Sequence, residues 1–179
     1  MNAYDLVFAK RWPTLLVDSN PYRVASLVGA SVSVVSAVSS VVIISVMVLL
    51  LPKETLGPAA AAGLLSQNAF VVFFLAVLFV PFYETLIAQL IPLELSRLAN
   101  LNDLGCILIG GAVFGLGHYL NGGVLHGISA LLAGSLFAFS YVTLRSWGYF
   151  PAFWASYVAH AAHNGLMLYA VPIIFPSLG

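Results

Sequence analysis

Charge is what this sequence has least of. Only 7% of its 179 residues are charged, six Lys/Arg and six Asp/Glu, against roughly 25% in a soluble domain. An ordinary water-soluble globule is thereby excluded. The formal net charge is zero, so no basic surface for nucleic acid and no charged tail is present. The single cysteine, Cys106, excludes an internal disulfide, a multi-cysteine zinc site and a CxxC redox pair. No long internal repeat stands out, and no segment reads as disordered. What is abundant is apolar: 61% of the chain. These proportions are those of an integral membrane protein.

The apolar residues fall into about five runs that meet the transmembrane requirement of about 20 residues at 1.5 Å rise each. The first, Val24 to Leu51, ends at Pro52-Lys53-Glu54 and is too long for a signal-peptide core. Gly57 to Gln67 is an Ala/Gly-rich connector with the character of a short interfacial or re-entrant piece. A second run begins near Asn68, passes Pro81, Glu84 and Pro92, and fades around Asn100. Leu104 to Leu120 makes a short third span, closed by Asn121-Gly122-Gly123; Val124 to Leu144 makes a fourth, and Phe150 to about Ala170 a fifth. The expected fold is an all-α polytopic helix bundle. Residues 1–23 form a cytoplasmic or interfacial segment, 24–67 the first span and connector, and 68–179 the core.

An N-terminus in the cytoplasm puts Lys10, Arg11, Arg23, Arg97 and Arg145 inside and only Lys53 outside, which obeys the positive-inside rule. The expected location is the cytoplasmic (inner) membrane. In the first span Ser26, Gly29, Ser33, Ser36 and Ser40 recur at spacings of three and four. Such a stripe of small residues lets helices approach closely, and no histidine lies nearby in the sequence to make one of these serines a nucleophile. Gly111 and Gly115 form a GxxxG in the third span, again a packing signal.

Eleven of the twelve charges sit in the N-terminal segment or beside candidate loops. The twelfth, Glu84, lies inside an apolar run. An ionisable group at membrane depth is costly, about 2.5–3.5 kcal/mol on insertion scales, and calls for a reason. His118, His126, His160 and His163 share its setting, with Gln89, Asn121 and Asn164 as amide companions. His160 and Asn164 are four apart and share one face of the fifth span; Phe114 and His118 do the same on the third. A lone intramembrane His is more often an interhelical contact, which is the reading for His126. His163 divides between support and site. Glu84, His118, His160 and Asn164 form a combination that packing does not require.

One carboxylate, two imidazoles and an amide suit amide hydrolysis. A carboxylate and an imidazole can position and deprotonate water, while a second imidazole and an amide N–H can hold an oxyanion in a low-dielectric site. The same side chains also suit a 2-His-1-carboxylate metal site, although no HExxH motif occurs.

Three stretches, Glu84-Thr-Leu-Ile-Ala-Gln89, Phe114-Gly-Leu-Gly-His118 and His160-Ala-Ala-His-Asn164, carry a further signal. In order and placement they resemble the EExxxR, FxxxH and HxxxN motifs of the CPBP family, the CAAX-protease and bacteriocin-processing (Abi) group of glutamic intramembrane endopeptidases. The resemblance covers about residues 68–175. It implies that Glu84 and His118 activate water, that His160 and Asn164 support the oxyanion, and that no metal or other cofactor takes part. Phe114, Thr85, Gln89 and His163 are supporting residues. The chain departs from the motif where Thr85 and Gln89 replace its second Glu and its Arg. These positions are four apart, where an acid and a base would pair, so losing both leaves no orphan charge.

The implied activity is an intramembrane endopeptidase acting near a membrane-embedded or lipid-modified substrate terminus. Its partners would be a membrane-associated protein or peptide and the bilayer, with no nucleic acid. Prenylated CaaX peptides, bacteriocin leaders and sorting tails are all compatible. The alternatives are a non-catalytic scaffold or immunity protein of the same fold and a metal-dependent membrane protease, with a proton-coupled transporter third. One tension stands: Glu84 and His160 fall near mid-span, whereas His118 comes late in its own.

Overall fold

The computed structural model describes residues 20–57, 64 and 66–175, and among these there is no strand. The expected N-terminal segment up to residue 19 and most of the 57–67 connector lie outside the described residues.

Asparagine opens three of the long helices. The side chain of Asn20 accepts from the N–H groups of Tyr22 and Arg23 and starts α1, Pro21–Leu50, with proline in its first turn, where a missing N–H costs nothing. A short helix α2, Lys53–Leu56, ends at Gly57 with φ of 92°. Asn68 caps Val71 N–H at 3.0 Å and starts the long helical run α3, Ala69–Leu98. Asn102 caps Gly105 N–H at 2.8 Å and starts Asp103–Leu144, which breaks at Gly123 (φ 74°, ψ −164°). The two arms, α4 (103–122) and α5 (124–144), fold back on each other as a hairpin. After a tight turn at Arg145–Trp147 and Gly148, α6 runs over 149–174. Pro21–Leu50, Ala69–Leu98 and Asp103–Trp147 are each long and apolar enough to cross a membrane. The third of these stretches contains the hairpin.

The glycines of the third run make that hairpin close. A Cβ on Gly115 would lie 2.8 Å from Leu131 Cα and 3.0 Å from Gly127 O, and Gly111 abuts Leu131 and Ser135. Gly134 of α5 returns the fit against Phe114. The small-residue stripe of α1 forms a second seam, with α6 running parallel to it. Ser26 Oγ accepts from Trp154 Nε1 at 2.9 Å, Gly29 faces Ala155 and Val158, and Ser36 Oγ bonds His163 Nδ1 at 2.9 Å. Both packing expectations hold.

Proline shapes α3 and α6 in one recurring way. Phe73–Phe79, Thr85–Leu90 and Leu166–Ala170 are wound as π-helix, and each stretch ends two residues before a proline: Pro81, Pro92 and Pro172. The N–H groups of Val80, Ile91 and Val171 reach back five residues, to Leu75, Leu86 and Leu166. A proline ring collides with the carbonyl four residues before it, and a widened turn moves that carbonyl aside. Glu84 closes the five-residue α-helical piece Val80–Glu84 between two such widenings.

Four of the six charges that the sequence places near loops, Glu94, Arg97, Asp103 and Arg145, meet at one end of the bundle. Glu94 is held by Arg145 through both carboxylate oxygens, at 2.5 and 3.2 Å, and accepts from Tyr141 OH at 2.6 Å. Arg145 also lies 3.4 Å over the Tyr149 ring, and Arg97 pairs with Asp103 at 3.7 Å. This end gives a common reference point along the helices. Glu84 is thirteen residues from Arg97 and His118 is fifteen from Asp103, so both stand about 20 Å along their helices from that ion pair. The hairpin arms are simply shorter than α3. A late position in a short helix therefore matches a middle position in a long one, which removes the tension left by the sequence.

Candidate active site

Glu84 Oε2 lies 3.5 Å from His160 Nε2 and 3.9 Å from His118 Nε2. One carboxylate of α3 thus faces imidazoles from α6 and α4. Its side chain and that of His118 stay partly open, at 31% and 21% exposure, while His160 is sealed at 2%. The site has a buried wall and an accessible front.

Each imidazole is oriented through its other nitrogen. His118 Nδ1 lies 2.9 Å from the Phe114 carbonyl, which only accepts, so Nδ1 carries a proton, and in the neutral ring Nε2 turns its lone pair toward Glu84. Phe114, one turn earlier on the same face, also packs its ring against His118, with centroids 4.3 Å apart at a 31° tilt. His160 Nδ1 lies 3.3 Å from Thr85 Oγ1. Its Nε2 faces a carboxylate, so the consistent arrangement has Nε2 protonated and Nδ1 accepting from the Thr85 hydroxyl. Phe137 stacks on His160 at 4.9 Å and 21°, and Phe114 meets it edge-on at 5.0 Å.

The supporting residues lie around this centre. Gln89, fully buried, sends Nε2 to Gly134 O at 3.1 Å and to Gly110 O at 3.5 Å, tying α3 to both hairpin arms. Its Oε1 has no hydrogen-bond partner. His163 is engaged with Ser36 of α1, which makes it a strut between helices. Asn164 Nδ2 donates to the Ala76 carbonyl of α3 at 2.8 Å and keeps a second N–H. His126 packs its ring 4.7 Å from that of His118 across the hairpin. Among the described residues no group of three or more His, Cys, Asp or Glu side chains is arranged to hold a metal ion.

Sequence reasoning missed Phe137, Ser36 and the Ala76 carbonyl. Phe137 is one apolar residue among many. Ser36 was legible only as part of a packing stripe. The Ala76 carbonyl is backbone and has no residue-type signature, although Pro81 five residues later marks it.

A family model described as type II CAAX prenyl endopeptidase Rce1-like matches residues 66–166, the stretch that supplies Glu84, Thr85, His118 and His160 as well as Asn164. No curated protein and no solved structure matches the chain. The helices long and apolar enough to span a bilayer and the matched family agree on an integral membrane protein. With more than half of its length covered by that match, the chain belongs to the Rce1-like type II CAAX prenyl endopeptidase family of membrane proteases.

Proposed function

We propose that the chain is a glutamic-type intramembrane endopeptidase in which Glu84 and His118 activate the attacking water. The observation that carries this reading is the 3.9 Å approach of Glu84 Oε2 to His118 Nε2, which with a neutral imidazole are two facing acceptors. A water placed about 2.8 Å from both would see them at about 90°, close to its own H–O–H angle, and so give one O–H to each. As the water oxygen attacks the scissile carbonyl, one of the two bases takes its proton. The C–N bond then breaks and that proton passes to the leaving amine.

Negative charge developing on the carbonyl oxygen needs a donor on the far side. His160 Nε2–H, directed outward by the Thr85 hydroxyl, supplies one. The free N–H of Asn164 supplies the second. Gln89 and Phe114 hold the elements that bring these groups together.

The substrate is a membrane-associated protein or peptide cleaved near its lipid-modified terminus. The matched family's description points to a prenylated C-terminus. Topology follows from charge: Arg23, Arg97 and Arg145 face the cytoplasm, which puts the site about 20 Å from that surface. Residues 68–179 form the proteolytic core, and α1 braces it through Ser36. The test is cleavage of a farnesylated CaaX peptide by protein in nanodiscs, with Glu84→Gln and His118→Ala inactive and EDTA without effect. Loss of cleavage in EDTA that zinc restores would instead favour a metal-dependent protease.

A further inference from the structure

Pro81 leaves one carbonyl of α3 without a helical partner, and a side chain of the site takes it up. In an α-helix the Ala76 carbonyl accepts from the N–H of residue 80; in a widened turn it accepts from that of residue 81. Here the Val80 N–H reaches Leu75 instead, and residue 81 is a proline with no N–H to give. At membrane depth no bulk water satisfies such a group. Asn164 Nδ2 donates to it at 2.8 Å, one turn beyond His160 on α6.

We propose that Asn164 is a positioning residue for Glu84, acting through the Ala76 carbonyl. This rests on the proteolytic reading of Glu84 and gives the Asn164 amide a task besides oxyanion support. The widened turn Phe73–Phe79 directly precedes the segment that ends in Glu84. One extra residue in a turn re-phases everything after it by about 100°, so that turn sets the direction in which Glu84 points. Its wall is held from α6 at neighbouring points: Asn164 on Ala76, Gly165 facing Val77, and Tyr157 OH on the Leu78 carbonyl at 3.4 Å. Downstream of the turn, Thr85 meets His160 of α6. The Asn164 bond keeps the turn open between these anchors, and Glu84 stays facing His118 and His160.

A double-mutant cycle with Pro81→Ala tests this. That change restores an N–H within reach of the Ala76 carbonyl and makes the Asn164 bond redundant. In the otherwise native chain, Asn164→Ala is expected to lower kcat by roughly a hundredfold, as misplacing a reacting group does, with KM little changed. In the Pro81→Ala background the same change is expected to cost at least about tenfold less in kcat, the loss that remains being that of the oxyanion contact, while His160→Ala keeps its full cost in both. Equal losses from Asn164→Ala in the two backgrounds would overturn the proposal. Hydrogen exchange gives a readout independent of turnover. Asn164→Ala alone should speed amide exchange across residues 77–85, and unchanged exchange there would also overturn it. An active Glu84→Gln control would sink the proteolytic reading and leave the exchange result standing, so the two failures are distinguishable.

Discussion

Thr85 Oγ1 lies 3.3 Å from His160 Nδ1, while its chain neighbour Glu84 reaches the other nitrogen of that ring at 3.5 Å. Two consecutive residues of α3 therefore grip opposite edges of one imidazole. The Glu84 carboxylate favours the tautomer whose Nε2–H points into the site, and the Thr85 hydroxyl supplies the matching donor to Nδ1. Thr85→Val keeps the shape and removes the donor, so kcat for a prenylated peptide should fall by about ten- to a hundredfold with KM nearly constant. Thr85→Ser should recover most of that loss. A Val variant as active as the native chain would remove Thr85 from the account.

Gln89 sits fully buried one turn after Thr85. Placing an arginine alone at this position, Gln89→Arg, would put an unpaired charge against the hairpin. The expected destabilisation is about 3–5 kcal/mol, the scale of an uncompensated buried charge. Adding Thr85→Glu should recover part of it, because the two side chains are one turn apart. Thermal unfolding in detergent of the single and double variants measures this coupling.

The hairpin glycines differ sharply in the room around them. A Cβ on Gly115 would collide with the Leu131 backbone, whereas one on Gly117 meets nothing within 4 Å. Gly115→Ala should therefore destabilise by about 1–3 kcal/mol through overpacking, and Gly117→Ala should be neutral or slightly stabilising. Paired melting curves of the two variants make the comparison internal.

At the charged end, Glu94 binds Arg145 with two hydrogen bonds and Tyr141 with a third. Charge-assisted bonds of this kind are worth about 1.5–3 kcal/mol each when half-buried. Glu94→Gln and Arg145→Gln should each lower the unfolding midpoint, and the double variant should lose less than the sum. Strict additivity would show that the pair contributes nothing.

The sequence was informative wherever chemistry is carried by rare residues. In a chain with twelve charges, Glu84 was conspicuous, and the one-turn spacings Phe114/His118 and His160/Asn164 placed their pairs on single helix faces. The small residues of α1 and the GxxxG of α4 announced close packing for the same reason: few side chains are that small. Three things were not legible. Pro81 and Pro92 mark irregular backbone, but neither the five-residue hydrogen bonds nor the amide that caps Ala76 has a sequence signature. Phe137 over His160 is indistinguishable in sequence from other core aromatics. The Gly123 fold-back itself was legible, since Asn121-Gly122-Gly123 closes the third span, but how the short hairpin arms align with the longer α3, and so the relative depth of His118, was not.

The most direct test of the account is single-turnover cleavage of a farnesylated CaaX peptide by Glu84→Gln protein in nanodiscs, compared with the native chain. The substitution keeps size and hydrogen-bonding capacity and removes the basic carboxylate. A loss of at least about a hundredfold, the lower range for removing a general base, with an unchanged melting temperature, is the expected result. Cleavage by Glu84→Gln at the native rate would contradict the assignment of Glu84 as the residue that activates water.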